Sequence, residues 1–253
     1  MNLIILPDTH GYFGYVERMI VFLEKEGFLK GRKLAFLGDL VDRGPQIREL
    51  LHLGMDLVKD GHIIISGNHE YVTDRVLTED EYQDFWLDLW FYSNHQDQTL
   101  ESFGLSEYDY YTDNLPRAAA DLAKAMTDEE RAFIANLPLY YEDERQILVH
   151  ASVLPDVSWE KQKQKLDNWD RSLRTMPEQL WQNCKYLPKD LNKQVISGHN
   201  IHKKAYITKH RACIDMGLFH HKVLAAYIPD IDLLIELDRF NVKLIDTTPS
   251  FKI

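Results

Sequence analysis

Five apolar runs, scattered from residue 2 to residue 197, each stop at a side chain able to bind a metal ion. "NLIIL" runs into Pro7-Asp8-Thr9-His10-Gly11, "KLAFL" into Gly38-Asp39-Leu40-Val41-Asp42-Arg43-Gly44, and "HIIIS" into Gly67-Asn68-His69-Glu70. "QILV" then runs into His150, and "QVIS" into Gly198-His199. A stretch such as Ile63-Ile64-Ile65 is apolar on both faces of its pleat, so it reads as a strand covered on both sides. In an α/β sheet of such strands, ligands collect in the crevice beyond the carboxyl ends. Any one of these ends has an ordinary reading: an Asp-x-His pair, a polar turn, a hydrogen-bonded core histidine. All five at the same end of successive strands read as one site.

The order of elements supports such a sheet. Residues 1 to 75 alternate "NLIIL", a helix through Val16, Met19, Ile20 and Leu23, "KLAFL", a helix through Ile47, Leu50, Leu51 and Val58, and "HIIIS". The i, i+3, i+4 apolar spacing predicts helices packed on parallel strands. Residues 76 to 138 are acidic and aromatic, with helical stretches around Phe85 to Tyr92 and from Asp128 to Leu137. The second of these opens with Thr127 and Glu130 at capping-box spacing. This segment reads as a helical insertion over one edge of the sheet, within a single domain spanning 1–253. Strands return at "QILVHA" and "QVISGH", and the short runs "ACID", "KVLAAYI" and "DLLIEL" resemble an antiparallel sheet. Two mixed sheets packed face to face, with helices outside, accommodate the whole α/β pattern.

Composition narrows the class. Hydrophobic residues make up 45% of the 253, enough for a sizeable core, and no apolar run is long enough to span a membrane. A net charge of −11 argues against a nucleic-acid or membrane partner. The N-terminus lacks a basic region and reads as a first strand, and two cysteines are too few for a disulfide framework. A cytoplasmic enzyme is expected.

The donors at the strand ends are Asp8, His10, Asp39, Asn68, His150 and His199, all oxygen or nitrogen and none a thiolate. Such a set suits manganese, iron or zinc better than copper(I) or an iron-sulfur cluster. Six donors exceed one tetrahedral site. Two divalent ions sharing one carboxylate account for the number, and Asp39 is the natural bridge.

Asp8-x-His10, "GDLVDRG", "GNHE", "HAS" and "GH", in this order, resemble the calcineurin-like metallophosphoesterases. More narrowly they resemble the phosphoprotein phosphatase family, whose members include serine/threonine phosphatases and symmetrical diadenosine tetraphosphatases. "TLESFG" (99–104), "LPLYYEDE" (137–144) and "IDMG" (214–217) extend the likeness over most of the chain. The resemblance implies a four-layer αββα fold. It assigns Asp8, His10 and Asp39 to a first metal, and Asp39, Asn68, His150 and His199 to a second. A hydroxide between them would attack phosphorus, Arg43 would grip phosphate oxygens, and His69 would protonate the leaving oxygen with Asp42 fixing its orientation. A second phosphate-binding arginine is expected between the last two histidines. Arg171 is the first candidate and Arg174 the second.

The chain departs from its relatives at the rim. Asn94-His95-Gln96 stands where paired glycines are common, Asn200 where threonine follows the final Gly-His, and Leu218-Phe219-His220-His221 where small residues follow the "IDTG"-like segment. His202 falls one residue too far from His199 for a Gly-His-x-His arrangement and is read as solvent-facing or packed behind the ligands. Phe85, Trp86, Trp90, Phe91 and Tyr92 read as packing between helices. Tyr108, Tyr110 and Tyr111 could line a cleft, and Lys161, Lys163 and Lys165 read as a solvated face. The expected function is hydrolysis of phosphomonoesters, with a phosphorylated protein or small phosphoester as partner. Phosphoserine or phosphothreonine is the expected target, and a dinucleoside tetraphosphate is the alternative.

Overall fold

The computed structural model describes residues 1–78, 81–106, 114–189 and 191–248. Strand β1 (Leu3–Leu6) is buried along its whole length, and the pleat explains how. Leu3 and Ile5 enter one apolar layer, while Ile4 and Leu6 enter another. Strand β2 (Lys33–Phe36) runs parallel to β1, and β3 (Ile63–Ile64) parallel to β2. Helices α1 (Phe13–Lys25) and α2 (Ile47–Lys59) make the crossovers. Each buries a stripe at the helical period, Val16, Met19 and Leu23 on α1, and Ile47, Leu50 and Leu51 on α2.

Strands β4 (Tyr140–Glu142), β5 (Gln146–Val149), β6 (Gln194–Ser197), β7 (Tyr206–Ile207) and β8 (Arg211–Cys213) form a second sheet in the order β4-β5-β6-β8-β7. Strands β9 (Leu224–Ile228), β10 (Leu233–Leu237) and β11 (Val242–Asp246) run antiparallel and extend the first sheet past β1, giving β11-β10-β9-β1-β2-β3. The "ACID" run therefore does not join the C-terminal antiparallel strands. Its β8 residues pair parallel with β6 and antiparallel with β7. A three-residue alternation marks a strand without marking its partner, and Ala212 and Ile214 fill the layer between the sheets.

That layer holds the two sheets together. Leu3, Ile5, Ala35, Leu37 and Ile65 of the first meet Leu148, Ile196, Ala212 and Ile214 of the second. Full burial of each large aliphatic side chain there is worth about 1.5–3 kcal/mol. Helices pack on the outer faces, completing a mixed α/β fold of two sheets flanked by helices.

Between β3 and β4 the described residues are helical: α3 (Asn68–Leu77), α4 (Gln83–Leu89), a π-helical turn at Trp90–Asn94, α5 (Asp97–Ser102), α6 (Leu115–Ala125) and α7 (Asp128–Ala135). The capping box of α7 forms, with Glu130 N donating to Thr127 Oγ1 (3.1 Å) and Thr127 N donating to Glu130 Oε2 (2.7 Å). Glu130 also accepts from Arg48 Nε at 2.8 Å, which ties α7 to α2. Trp86 and Trp90 are buried among the helices, whereas Tyr92 is exposed. Tyr108, Tyr110 and Tyr111 lie outside the described residues. Lys163 and Lys165, on α8 (Trp159–Asp167), make surface ion pairs with Glu142, Glu160 and Glu178. Cys184 and Cys213 are free, buried thiols. Among the described residues no helix is long and apolar enough to cross a membrane.

Candidate metal centre

The carboxyl ends of β1, β2, β3, β5 and β6 open at one edge of the inter-sheet layer, and the chain beyond each turns inward. These turns demand unusual backbone. Among the described residues, five of the eight non-glycine residues with positive φ are His10 (41°), Asp39 (52°), Asp42 (65°), Arg43 (69°) and His199 (60°). Asp and His tolerate the left-handed region better than most residues, yet each such residue costs on the order of 1–3 kcal/mol. The surrounding bonds must therefore hold them. Glu70 does much of this, accepting from the backbone N–H groups of Gly67 (2.8 Å), Asp39 (2.7 Å), Leu40 (2.6 Å) and Val41 (3.1 Å). One buried carboxylate thus clamps the β2 turn to the start of α3. The two turns approach so closely that a Cβ on Gly67 would lie 2.0 Å from Asp39 Oδ1.

Asp39 is the hub. Its Oδ1 lies 3.4 Å from His150 Nε2, and its Oδ2 lies 3.6 Å from His10 Nε2 and 3.7 Å from His69 Nε2. Ligand atoms of His10, Asp39 and His69 all fall within 4.8 Å of one another, and so do those of Asp39, His150 and His199. Asn68 Oδ1 is 3.0 Å from His150 Nε2, and His199 Nδ1 is 3.2 Å from it. Asp8 accepts from His199 N at 3.0 Å, which ties the end of β1 to the end of β6. All six residues expected as ligands are thereby brought together across both sheets.

The ring orientations suit metal binding. His10 Nδ1 donates to Val41 O (2.9 Å) and His150 Nδ1 to Leu37 O (2.7 Å), which turns both Nε2 atoms toward Asp39. The electrostatics ask for a cation. Asp8 is pushed well above the usual carboxylate range by burial and by Asp215 beside it. Burial opposes a charged His150, but Asp39 and Asp8 prevail and raise its pKa to about 10. A pocket that draws in a proton this strongly between two buried carboxylates is one that a divalent ion would satisfy.

His69 Nδ1 lies 2.7 Å from Asp42 Oδ2, and the other oxygen of Asp42 accepts from Thr99 Oγ1 at 2.5 Å. Arg43 Nη1 donates to His10 Nε2 at 3.0 Å, its guanidinium faces the Phe219 ring at 5.6 Å, and its Nε has no hydrogen-bond partner among the described residues. A cavity of about 530 Å³ opens from this point, with Arg43, Asn68, His69 and Arg174 on its wall. Arg171 is elsewhere. Its guanidinium is bonded to Asp74 (3.2 Å) and to Leu137 O (3.1 Å), and it lines a separate cavity. His202 is exposed.

A match to the family model described as calcineurin-like phosphoesterase runs over residues 1–235. The chain belongs to the calcineurin-like phosphoesterase family. Members of this family work through a dinuclear metal centre, and the chain is a phosphoester hydrolase. Among solved structures, a candidate diadenosine tetraphosphatase superposes with a TM-score of 0.56 at 16% identity, covering 93% of this chain and 92% of that one. A serine/threonine phosphatase from Saccharomyces cerevisiae gives a TM-score of 0.53 at 14% identity, covering 90% and 73%. At such identities the likeness is one of fold. An asymmetrical bis(5'-nucleosyl)-tetraphosphatase from Anoxybacillus flavithermus is 35% identical over 75 residues, which is 26% of this chain and 29% of that protein's length.

Three residues of this calcineurin-like centre carry no role in the sequence reading: Glu70, Thr99 and Asp215. Each lay inside a quoted motif, "GNHE", "TLESFG" and "IDMG". Asp215 is buried with its pKa pushed up to about 6 by burial and by Asp39, and its Oδ1 accepts from Gly217 N at 2.8 Å. The motifs were the available signal. What they lacked was a spacing that distinguishes a ligand from the residue holding it.

Proposed function

We propose that this chain is a phosphatase of the serine/threonine phosphoprotein type in its architecture, hydrolysing phosphomonoesters at a dinuclear centre with phosphorylated protein as its substrate class. The observation that carries this reading is the clustering of His10, His150 and His199 around the Asp39 carboxylate, with Asn68 beside His150, Asp8 bonded to His199 N, and the His69–Asp42 pair alongside. Asp8, His10 and Asp39 would hold one divalent ion, and Asp39, Asn68, His150 and His199 the other. The oxygen and nitrogen donors favour manganese over softer metals. Bound there, the ions would lower the pKa of water and neutralise charge on the phosphoryl group.

The chain's own residues do the rest. Arg43, whose Nη1 donates to His10 Nε2, would present a planar donor fork to phosphate oxygens if that nitrogen held an ion instead. Arg174, on the wall of the same cavity, is a better second phosphate-binding residue than Arg171, whose guanidinium is already bonded to Asp74 and Leu137. His69, oriented by Asp42, hands a proton from Nε2 to the departing oxygen. Thr99 and Glu70 keep the two loops in register.

Phosphate release from p-nitrophenyl phosphate and from a phosphopeptide by manganese-loaded protein tests the reading. Release should stop with EDTA and in Asp39→Asn. Release that persists in both contradicts it. The aromatic wall of the cavity lends weight to a second reading, cleavage of a dinucleoside tetraphosphate, and product analysis with diadenosine tetraphosphate separates the two.

A further inference from the structure

We infer that the alcohol esterified to the phosphate is aromatic, a tyrosyl or other aryl group, and that the cavity beside His69 recognises its ring. This rests on the phosphatase reading above and narrows its substrate.

The cavity has two chemically different ends. Arg43 and His69 border it at the metal centre, while Val72, Phe85, Trp86, Met176 and Trp181 make its apolar walls. His69 and Val72 are three residues apart on α3 and so share one face of that helix. The group that protonates the leaving oxygen thus opens directly onto an apolar surface, and the alcohol bearing that oxygen extends along it. Trp181 keeps 51% of its surface exposed, an unusual share for an indole on a cavity wall, and a ring laid there would cover it. The Arg174 guanidinium stacks on Phe85, 4.5 Å from the ring centre, and gives the wall a cationic rim.

Alternative leaving groups fit less well. A seryl or threonyl side chain has only one or two carbons to offer and would leave a volume of about 530 Å³ largely unfilled. A nucleotide leaving group would lay charged phosphates along the Val72 and Trp86 side of the cavity, where the wall is apolar and the Arg174 guanidinium is stacked on Phe85. A planar ring bonded straight to the leaving oxygen meets both constraints.

Aryl esters are intrinsically more reactive than alkyl esters, so turnover alone does not test the idea. Benzylphosphonate and ethylphosphonate do, because neither is hydrolysed and each replaces the ester oxygen with a methylene. Calorimetric titration of manganese-loaded protein should find benzylphosphonate bound at least about 10-fold more tightly. Most of that difference should vanish in Trp181→Ala, a surface position whose loss does not threaten folding, and in Phe85→Ala. Equal affinities, or a preference that survives both substitutions, overturn the inference. So does a kcat/KM for diadenosine tetraphosphate above that for phenyl phosphate. Release of p-nitrophenol is followed on the same sample. No release sinks the phosphatase reading itself, whereas release with equal phosphonate affinities sinks only the aromatic preference.

Discussion

Nδ1 of His69 lies 2.7 Å from Oδ2 of Asp42, and both side chains are buried. Thr99 holds the other Asp42 oxygen, so the carboxylate cannot swing away. An imidazole anchored through Nδ1 has only Nε2 to present to the centre, and that atom lies 3.7 Å from Asp39 Oδ2. This relationship yields the first prediction. Asp42→Asn preserves the shape and removes the charge, and should lower kcat for an alkyl phosphate by about 10²–10⁴-fold. The loss should be smaller for p-nitrophenyl phosphate, whose phenolate departs without needing a proton, and His69→Asn should follow the same pattern. Equal losses on both esters, read from steady-state kinetics, would place the pair outside proton transfer.

Glu70 accepts four backbone N–H groups, three of them from the β2 turn. Glu70→Gln substitutes an amide nitrogen for one acceptor oxygen and leaves buried donors facing a donor. Each buried group left without a partner costs about 1–3 kcal/mol, so a total near 3 kcal/mol is expected by urea unfolding. Metal affinity should fall with it, because Asp39 follows the turn that Glu70 holds. A variant as stable as the parent would show that the turn is fixed by other bonds.

Gly67 makes a sharper steric prediction. A methyl group there would meet Asp39 Oδ1 at 2.0 Å and Asp39 N at 2.6 Å. The residue itself has extended backbone, φ −95° and ψ −177°, which any residue adopts, so the obstacle is space alone. Gly67→Ala should displace the shared carboxylate and abolish tight metal binding, as measured by calorimetry, with circular dichroism confirming a folded chain. Unchanged affinity would show that Asp39 is not needed at its present position.

Two imidazoles predict how metal binding depends on pH. Burial opposes charge on His150, but Asp39 and Asp8 raise its pKa to about 10, while burial and then His150 push His199 down to about 4. At neutral pH, His150 therefore carries a proton that it must surrender to ligate, and His199 has none to surrender. Metal affinity should rise with pH, and binding should release protons near neutrality, seen by calorimetry in two buffers of different ionisation enthalpy. The sign for stability follows from the same group. Its folded pKa lies above the ordinary value of 6.5, so its contribution to the ion-free protein is complete below pH 6.5 and is lost toward about pH 10. EDTA-treated protein should melt at lower temperatures across that window. Proton uptake on binding would contradict the account.

Much of this centre was legible in the sequence because strand periodicity is local. Apolar runs ending beside Asp39, Asn68 or His150 disclose both a buried strand and the polar group beyond it, and five such ends imply a common edge. Partnership between distant segments was less legible. Nothing in Arg211-Ala212-Cys213 announces that it pairs with β6 and not with the strands that follow it. The separation of Arg171 from Arg174 was also hidden. The two lie in one loop, and only the fold shows that Asp74 and Leu137 hold the first while the second lines the cavity. Glu70 could not be read as a clamp because its four partners are backbone groups, which carry no residue-specific signal.

The central claim is a pair of ions sharing Asp39. Anomalous diffraction from crystals grown with manganese tests it most directly. Two peaks are predicted, roughly 3.5–4 Å apart with the Asp39 carboxylate between them, one bounded by Asp8 and His10 and the other by Asn68, His150 and His199. A single peak, or density away from Asp39 with His150 and His199 turned outward, would contradict the account.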